Sequence, residues 1–486
     1  MARIIGDYIG TTFDDFIILP GMTTGEHLPG KVSTEIELAG VKLGRPYLPA
    51  AMRSVVGNDM ALAAGKARMM PVAPRGLPAE EEADIVRYVK EREVKVGETE
   101  SATDPMYLLD TETLGDALEK ARESGHSNMP VQSRIGDFQG MFTYDPTEHD
   151  RMDSATPITD VMRPFRNKSG QIAMDFCSHS MPDSEIRDYM KDKEYRMVPV
   201  LDDSYRLRRL VFMQHHEAYK VGAAIDTFPG WERRAEALVK AGADMIFTDT
   251  ADAHSTFALD LVKKFKKMFP EGPPICAGNI VTPEAFKDFY DAGADVEKLG
   301  MGPGSICTTN DVFGVGAPPF WSLIEIAHKR DELARNGRFV PIIADGGLER
   351  PADINVVMTH ADAVMLGRMV AGFHESAGEL FRDREGRKWK EYYGEASQRA
   401  YQATGNMHRY NVGGESIRTF QGVQGRVPYV GWLKPGIEKY TQVLKEAMSH
   451  AGCKDLGEFR EKAVLLRLSE RAKRITLPHG IDVIGD

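Results

Sequence analysis

The sequence predicts an α/β fold, a (β/α)8 barrel carrying an inserted domain, from three observations. Short apolar strands alternate with helix-period segments across residues 220–370, the pattern of repeated βα units. Each of those strands runs into an Asp, Asn or Gly. The rhythm breaks over residues 94–215, as it does where a separate domain interrupts a barrel.

The strands are Met245–Phe247 before Asp249, Pro274–Cys276 before Asn279, Val296–Leu299 before Gly300, Val340–Ile343 before Asp345, and Ala363–Leu366 before Gly367. Ligand chemistry in a barrel is built at the C-terminal ends of the strands, so these polar residues should converge on one mouth. Between them, Phe257–Phe269 and Pro283–Ala292 place apolar residues three to four apart, which predicts amphipathic helices. Residues 222–230 return the chain to the barrel. The alternative, an open doubly wound sheet, would want a strand followed by GxGxxG and a helix, and the sequence shows none.

The interrupting region echoes itself weakly. Leu114–Met129 followed by Pro130-Val131, and Ser184–Met197 followed by Val198–Val200, each read as a helix then a short strand. Each leads through a polar turn to another apolar run, Gly140–Thr143 and Leu210–Met213. Asp145–Ala155 reads as a solvated connector between the halves. The expected domains are 1–93, the first part of the barrel; 94–218, the insertion; and 219–486, the rest of the barrel with its loops and tail.

With 486 residues, 42% of them hydrophobic and 27% charged, the composition is that of a soluble globular protein with a large core. A net charge of −11 has the wrong sign for a general nucleic-acid or anionic-membrane binder. Residues 1–19 show no signal-peptide pattern, so a cytoplasmic protein is expected. The four cysteines, Cys177, Cys276, Cys307 and Cys453, lack CxxC spacing, which suggests neither a zinc cage nor a disulfide framework. Three of them read as buried thiols.

Cys307 is the exception, because it lies in the turn Gly300-Met301-Gly302-Pro303-Gly304-Ser305-Ile306-Cys307-Thr308-Thr309 directly after an apolar strand. Glycines there let the backbone approach a ligand, and exposed N–H and C=O groups can hold a phosphate or an ion. Cys307 then reads as a nucleophile beside a bound nucleotide. The alternative is a small residue filling a tight turn.

Thr12-Phe13-Asp14-Asp15, Leu19-Pro20, Asp249-Thr250-Ala251, Ala277-Gly278-Asn279, Gly300–Thr309, Ala344-Asp345-Gly346-Gly347, Val364–Gly367, Arg409-Tyr410 and Gln421-Gly422-Val423 together resemble the inosine-5′-monophosphate dehydrogenases. The related guanosine-5′-monophosphate reductases share much of the set. The resemblance spans nearly the whole chain and implies a TIM barrel with an inserted tandem CBS-repeat domain. It also implies oxidation of inosine monophosphate (IMP) at C2 with NAD, and a homotetramer that pairs into octamers through the insertions.

By the same resemblance Cys307 is the nucleophile, Thr309 orients substrate or water, and Arg409 with Tyr410 activates the hydrolytic water from a flap. Arginine is an unusual base, its free pKa lying above ~12, and phosphate binding is the competing role for Arg409. Thr309 also reads as a turn-stabilising hydroxyl. Asp345 resembles the carboxylate that accepts the ribose hydroxyls, and Gly346, Gly347 and Gly367 resemble phosphate cradles. Ser305, Arg368, Tyr392, Gly394 and Glu395 would line the nucleotide site, and Gln421 would read the purine edge. Asp249, Thr250, Asn279, Gly300 and Gly302 would contact the dinucleotide, although the strand-end Asp and Asn residues also suit helix caps. Carbonyls of Gly302, Gly304 and Cys307 resemble a potassium site.

Several positions depart from the usual pattern. Leu366-Gly367-Arg368 replaces Leu-Gly-Ser, Thr308-Thr309-Asn310 replaces Thr-Thr-Arg, and Met52-Arg53 replaces Met-Asp. The stretch 392–397 reads Tyr-Tyr-Gly-Glu-Ala-Ser instead of Tyr-Arg-Gly-Met-Gly-Ser. The insertion lacks a clear Ser/Thr-x-x-Asp pattern for adenosine ribose. Leu477-Pro478-His479-Gly480 lacks the Glu-Gly-Gly that completes the cation site. A reductase using NADPH is the nearest rival, but its pattern has a glutamate where this chain has Gln398. An inactive nucleotide-sensing paralogue is the second.

Overall fold

The computed structural model describes residues 3–5, 7–93, 97–124, 126–149, 152–214, 219–335, 337–400 and 421–476. Arg409, Tyr410 and the 477–480 tail lie outside the described residues. The chain divides into two compact units, one of residues 1–91, 219–429 and 440–486, the other of residues 92–218 and 430–439.

In the first unit eight parallel strands form a TIM barrel: β1 (Tyr47–Pro49), β2 (Val72–Ala73), β3 (Gly222–Ile225), β4 (Met245–Thr248), β5 (Ile275–Ile280), β6 (Val296–Leu299), β7 (Ile342–Asp345) and β8 (Ala363–Leu366). They pair in chain order from β2 to β8, and β8 returns to β1. The seam between β1 and β2 is closed by the Met70 N–H donating to the Tyr47 carbonyl at 3.4 Å. All residues of β3, β4, β6 and β8 are buried, as expected of strands covered on both faces. Leu48, Val72, Ala224, Phe247, Cys276, Val296, Ile343 and Met365 fill the interior, joined by Leu38, Val41 and Leu43 of the Ile36–Leu38 and Val41–Leu43 hairpin.

Seven principal helices cover the strands: α1 (Asn58–Lys66), α2 (Ala79–Lys90), α3 (Trp231–Ala241), α4 (Thr256–Met268), α5 (Pro283–Ala292), α6 (Pro319–Ala334) and α7 (Pro351–Val357). Helix α4 starts where the Ser255 hydroxyl accepts from the Ala258 N–H, and it buries Ala258, Leu261, Val262 and Phe265. That is one stripe at helical spacing. Helix α5 is capped by Thr282, carries Pro283 in its first turn and ends at Gly293 with φ +98°, where a left-handed residue favours glycine. Its bounds match the sequence expectation; α4 is displaced by one residue.

Three strands differ from expectation, β4 only by running one residue further to Thr248. β5 runs on to Ile280, with a register shift against β6 between Gly278 and Ile280. A bulge of this kind re-aims side chains, and it brings Asn279 inside the strand. β7 begins at Ile342 and not at Val340, because Pro341 has no N–H to give to a ladder; Asp345 becomes its last residue.

The second unit holds two four-stranded sheets. One half is built in the order strand Leu108–Leu109, helix Leu114–Ser124, strand Asn128–Gln132, strand Phe138–Thr143; the other runs Cys177–Ser178, Asp183–Asp192, Met197–Leu201, Leu207–Met213. In each half the first strand pairs parallel to the one after the helix. Within the connector, His149 is buried and stands edge-on to Phe142 at 4.9 Å, so that stretch is not wholly solvated.

Glu297 of β6 is an anomaly among these strands. It is 0% exposed, and among the described residues neither carboxyl oxygen has a hydrogen-bond partner. Burial pushes its pKa well above the ordinary 4.5, with Arg338 pulling weakly the other way, so the folded state holds it protonated. The folded protein therefore binds more protons than the unfolded chain above pH 4.5, and stability falls as pH rises from there towards the folded pKa. Glu297→Gln should remove that slope: urea melts should show a gain over the parent that is small near pH 4 and grows as pH rises above 4.5.

Candidate active site

A cleft of about 1060 Å³ opens at the C-terminal strand ends. Every sequence-chosen site residue lines it except Arg409 and Tyr410, which lie outside the described residues. Two glycines set the course of the cysteine loop. Gly300 has φ +136°, and a Cβ there would overlap the Asp345 carbonyl; Gly302 has φ +89° and presses on the Asn310 amide. Only glycine meets both the angle and the close approach.

The loop then delivers Cys307, half-buried, with its N–H donating to the Gly304 carbonyl at 2.9 Å. Cys307 Sγ lies 3.1 Å from Thr309 Oγ1. The Thr309 hydroxyl, buried, donates to Gln421 Oε1 at 3.1 Å. With that proton committed to Gln421, Thr309 Oγ1 is the acceptor for the thiol proton. Backbone bonds lock the arrangement: Thr308 N–H donates to the Gln421 carbonyl at 3.1 Å, and Val423 N–H to the Ile306 carbonyl at 3.0 Å. Gln421 N–H in turn reaches the Ala396 carbonyl at 3.3 Å.

The floor of the cleft is a buried polar cluster. Lys298 of β6 is 3% exposed, and its ammonium donates to Asp345 Oδ2 at 3.0 Å and to Asn279 Oδ1. Asn279 Nδ2 donates to the Gly300 carbonyl at 2.6 Å and to Asp345 Oδ2 at 2.9 Å. Among the described residues, both side-chain bonds to Asp345 fall on the one oxygen Oδ2. Nearby, burial raises the Tyr392 phenol pKa, with the Asp345 charge adding to it. A Cβ on Gly367 would lie 2.7 Å from the Tyr392 hydroxyl.

On the far wall, Arg75 Nε donates to Asp249 Oδ2 at 3.1 Å. Glu395 lines the cleft, but its Oε1 accepts the Arg53 N–H at 2.6 Å and its Oε2 accepts Arg53 Nε at 3.1 Å. Gly346 (φ +87°) and Gly347 (φ +76°) make the turn after β7. Ser305 and Arg368 are exposed at the rim.

Sequence reasoning missed Lys298, Arg75 and Arg53. The signal for Lys298 was present: a lysine in the strand Val296-Glu297-Lys298-Leu299, flanked by apolar ends in the middle of the βα rhythm, calls for a nearby acceptor once buried. Arg75 lies in a loop with no such marker, and Arg53 stood out only as a departure from the family pattern, without its partner. Removing the lysine tests the cluster. Lys298→Met should cost about 2–3 kcal/mol in urea unfolding, less than the roughly 3–5 for a fully buried pair, because Asp345 keeps partial exposure.

A parallel eight-stranded barrel whose mouth gathers a relayed cysteine, positive-φ glycine turns and strand-end acids defines a barrel protein with a candidate nucleophile at its strand ends. Comparison with known proteins agrees. Residues 10–479 match the family model described as the IMP dehydrogenase / GMP reductase domain. An inosine-5′-monophosphate dehydrogenase of Methanocaldococcus jannaschii is 32% identical, over 98% of this chain and 96% of its own. One from Pasteurella multocida is 30% identical over 96% and 95% respectively. A crystal structure of GMP reductase from Trypanosoma brucei in complex with guanosine 5′-monophosphate superimposes with a TM-score of 0.68, at 27% identity and covering 98% of this chain and 99% of that one. The chain belongs to the IMP dehydrogenase / GMP reductase family.

Proposed function

We propose that the protein oxidises inosine 5′-monophosphate to xanthosine 5′-monophosphate with NAD, the committed oxidation towards guanine nucleotides. The Cys307–Thr309–Gln421 relay carries this reading, set in a chain that resembles IMP dehydrogenases along nearly its full length. The residues fit the chemistry. Asp345 Oδ1 takes the ribose hydroxyls; Ser305, Arg368 and the glycine turns at 346, 347 and 367 take the phosphate. Gly394 shapes the same wall, the Tyr392 hydroxyl beside Gly367 completes it, and Gln421 faces the purine edge.

Thr309 Oγ1 orients the Cys307 thiol; the sulfur bonds to C2 of the purine as the C2=N3 π pair moves to N3, which takes up the thiol proton and gives it up when hydride leaves C2 and the double bond re-forms. A dinucleotide held beside Asn279, Gly300 and Gly302 would supply the hydride acceptor for C2. The covalent adduct is then hydrolysed: water adds at C2, the sulfur leaves as thiolate, and xanthosine monophosphate is released. Arg409 with Tyr410 activates that water. Asp249, Thr250, Asn279, Gly300 and Gly302 face the dinucleotide, with Arg75 holding Asp249 in place. The carbonyls of Gly302, Gly304 and Cys307 offer hard oxygen ligands for potassium; Gly304 already accepts the Cys307 N–H and retains one lone pair.

The strand–helix–strand–strand order of both halves in the second unit supports reading it as paired CBS-type repeats. The resemblance supports a homotetramer working in the cytoplasm. No helix among the described residues is long and apolar enough to cross a membrane.

The structural relative favours one rival, NADPH-dependent reduction of guanosine monophosphate. Against it, Gln398 is exposed and outside the cleft lining, where the reductase reading wants a glutamate. Absorbance at the reduced-nicotinamide band decides. NADH should accumulate with inosine monophosphate, NAD and potassium, and NADPH should persist with guanosine monophosphate. NADPH loss alone would establish the reductase, and silence in both mixtures would favour the inactive paralogue or a different purine nucleotide. Cys307→Ala should abolish turnover; surviving turnover would rule out the covalent route.

A further inference from the structure

We propose that Arg53 is a positioning residue for Cys307, acting through Glu395 on the wall against which the cysteine loop is set. The proposal rests on the covalent-cysteine reading above. It gives Glu395 a different task from contacting substrate.

The pair is buried, with side chains 8% and 6% exposed. Both carboxylate oxygens are taken, Oε1 by the Arg53 backbone N–H and Oε2 by its Nε. The remaining arm of the guanidinium donates to the Ala400 carbonyl at 2.9 Å. One arginine therefore ties three points: the chain just after cleft-lining Met52, the side chain of Glu395, and the backbone five residues further on. Planar, forked donors fix direction as well as distance.

What is fixed is the wall segment 394–400, and residues 421–423 join that segment to the cysteine loop. Gly394 N–H donates to the Val423 carbonyl at 3.2 Å, and Gln421 N–H to the Ala396 carbonyl at 3.3 Å. Gly422 is bridged both to Ser397 and to Cys307. A shift of Glu395 is thus passed through Gly394 and Ala396 to Gln421, the acceptor for Thr309, and to Gly422 beside the nucleophile. The charge matters too. An unpaired carboxylate in this cleft would repel a phosphorylated ligand, and Arg53 neutralises it.

Gly76 stands behind the pair and marks how closely it is packed. A Cβ there would lie 2.5 Å from Glu395 Oε2 and 2.7 Å from Arg53 Nε. Gly76→Ala therefore disturbs the pair without altering either charge.

The test uses the full-length protein with Arg53→Lys, Glu395→Gln and Gly76→Ala. The readouts are steady-state kinetics, the rate of Cys307 alkylation by iodoacetamide, and thermal melting. Arg53→Lys should lower kcat at least about tenfold, as small misplacements of reacting groups do, with KM for the nucleotide within about threefold of the parent. The alkylation rate should change in the same variant, and Gly76→Ala should reproduce both effects. If melting falls while kcat and alkylation stay at parental values, the pair is only structural and the proposal fails. A rise in KM at unchanged kcat would also overturn it, in favour of Glu395 as a substrate contact. Should Arg53→Lys not fold, Glu395→Gln and Gly76→Ala decide on the same criteria. Alkylation needs no substrate, so it separates failure of this proposal from failure of the proposed reaction.

Discussion

The burial of one ammonium group organises the site. A lysine that is 3% exposed has lost nearly all its water, and only close acceptors offset that loss. Lys298 finds them on the two flanking strands, Asn279 on β5 and Asp345 on β7. The ends of three neighbouring strands are thereby held in one arrangement. The Gly300 turn follows from it, since Asn279 also holds the Gly300 carbonyl and the Asp345 backbone leaves no room for a side chain at Gly300. Cys307 is placed at the far end of that turn.

Much of this was legible in the residues. The βα rhythm, the polar strand ends and the glycine-rich cysteine turn are local patterns, and they located the barrel and most of the cleft. Helix α5 was readable because Thr282, Pro283 and Gly293 mark its ends chemically. The extension of β5 was not, because a bulge is decided by the register of the neighbouring strand and leaves no mark in Ala277-Gly278-Asn279 alone. The ion pairs of Arg53 and Arg75 were hidden for the same reason. Their partners lie 342 and 174 residues away, and nothing local announces them.

The departures from the usual family pattern gain a physical account in pairs. Arg53 stands where that pattern has an acid, and Glu395 stands where it has Met; in the fold the two are one interaction. Introducing either charge alone into this buried place would leave it uncompensated, at a cost of several kcal/mol. Asn310, in place of an arginine, fits its amide between Gly302 and Gly316, neither of which has room for a Cβ. Arg368 is exposed and makes no demand on the packing.

The strand pairing beside the seam bears on how the molecule is made. β2 meets β3 through Val72 with Gly222 and Ala73 with Ala223, so this ladder joins residues on either side of the whole insertion. For a flexible chain, bringing such distant ends together costs loop-closure entropy before any contact repays it, and rates fall as contacts become more remote in sequence. A second unit with its own hydrophobic clusters changes that arithmetic. Packing within 92–218 leaves fewer free residues in the loop to be closed than the roughly 150 of an unfolded insertion. Residues 92–218 emerge before β3 does, so the order of synthesis lets the clusters of the insertion form ahead of the ladder that spans it.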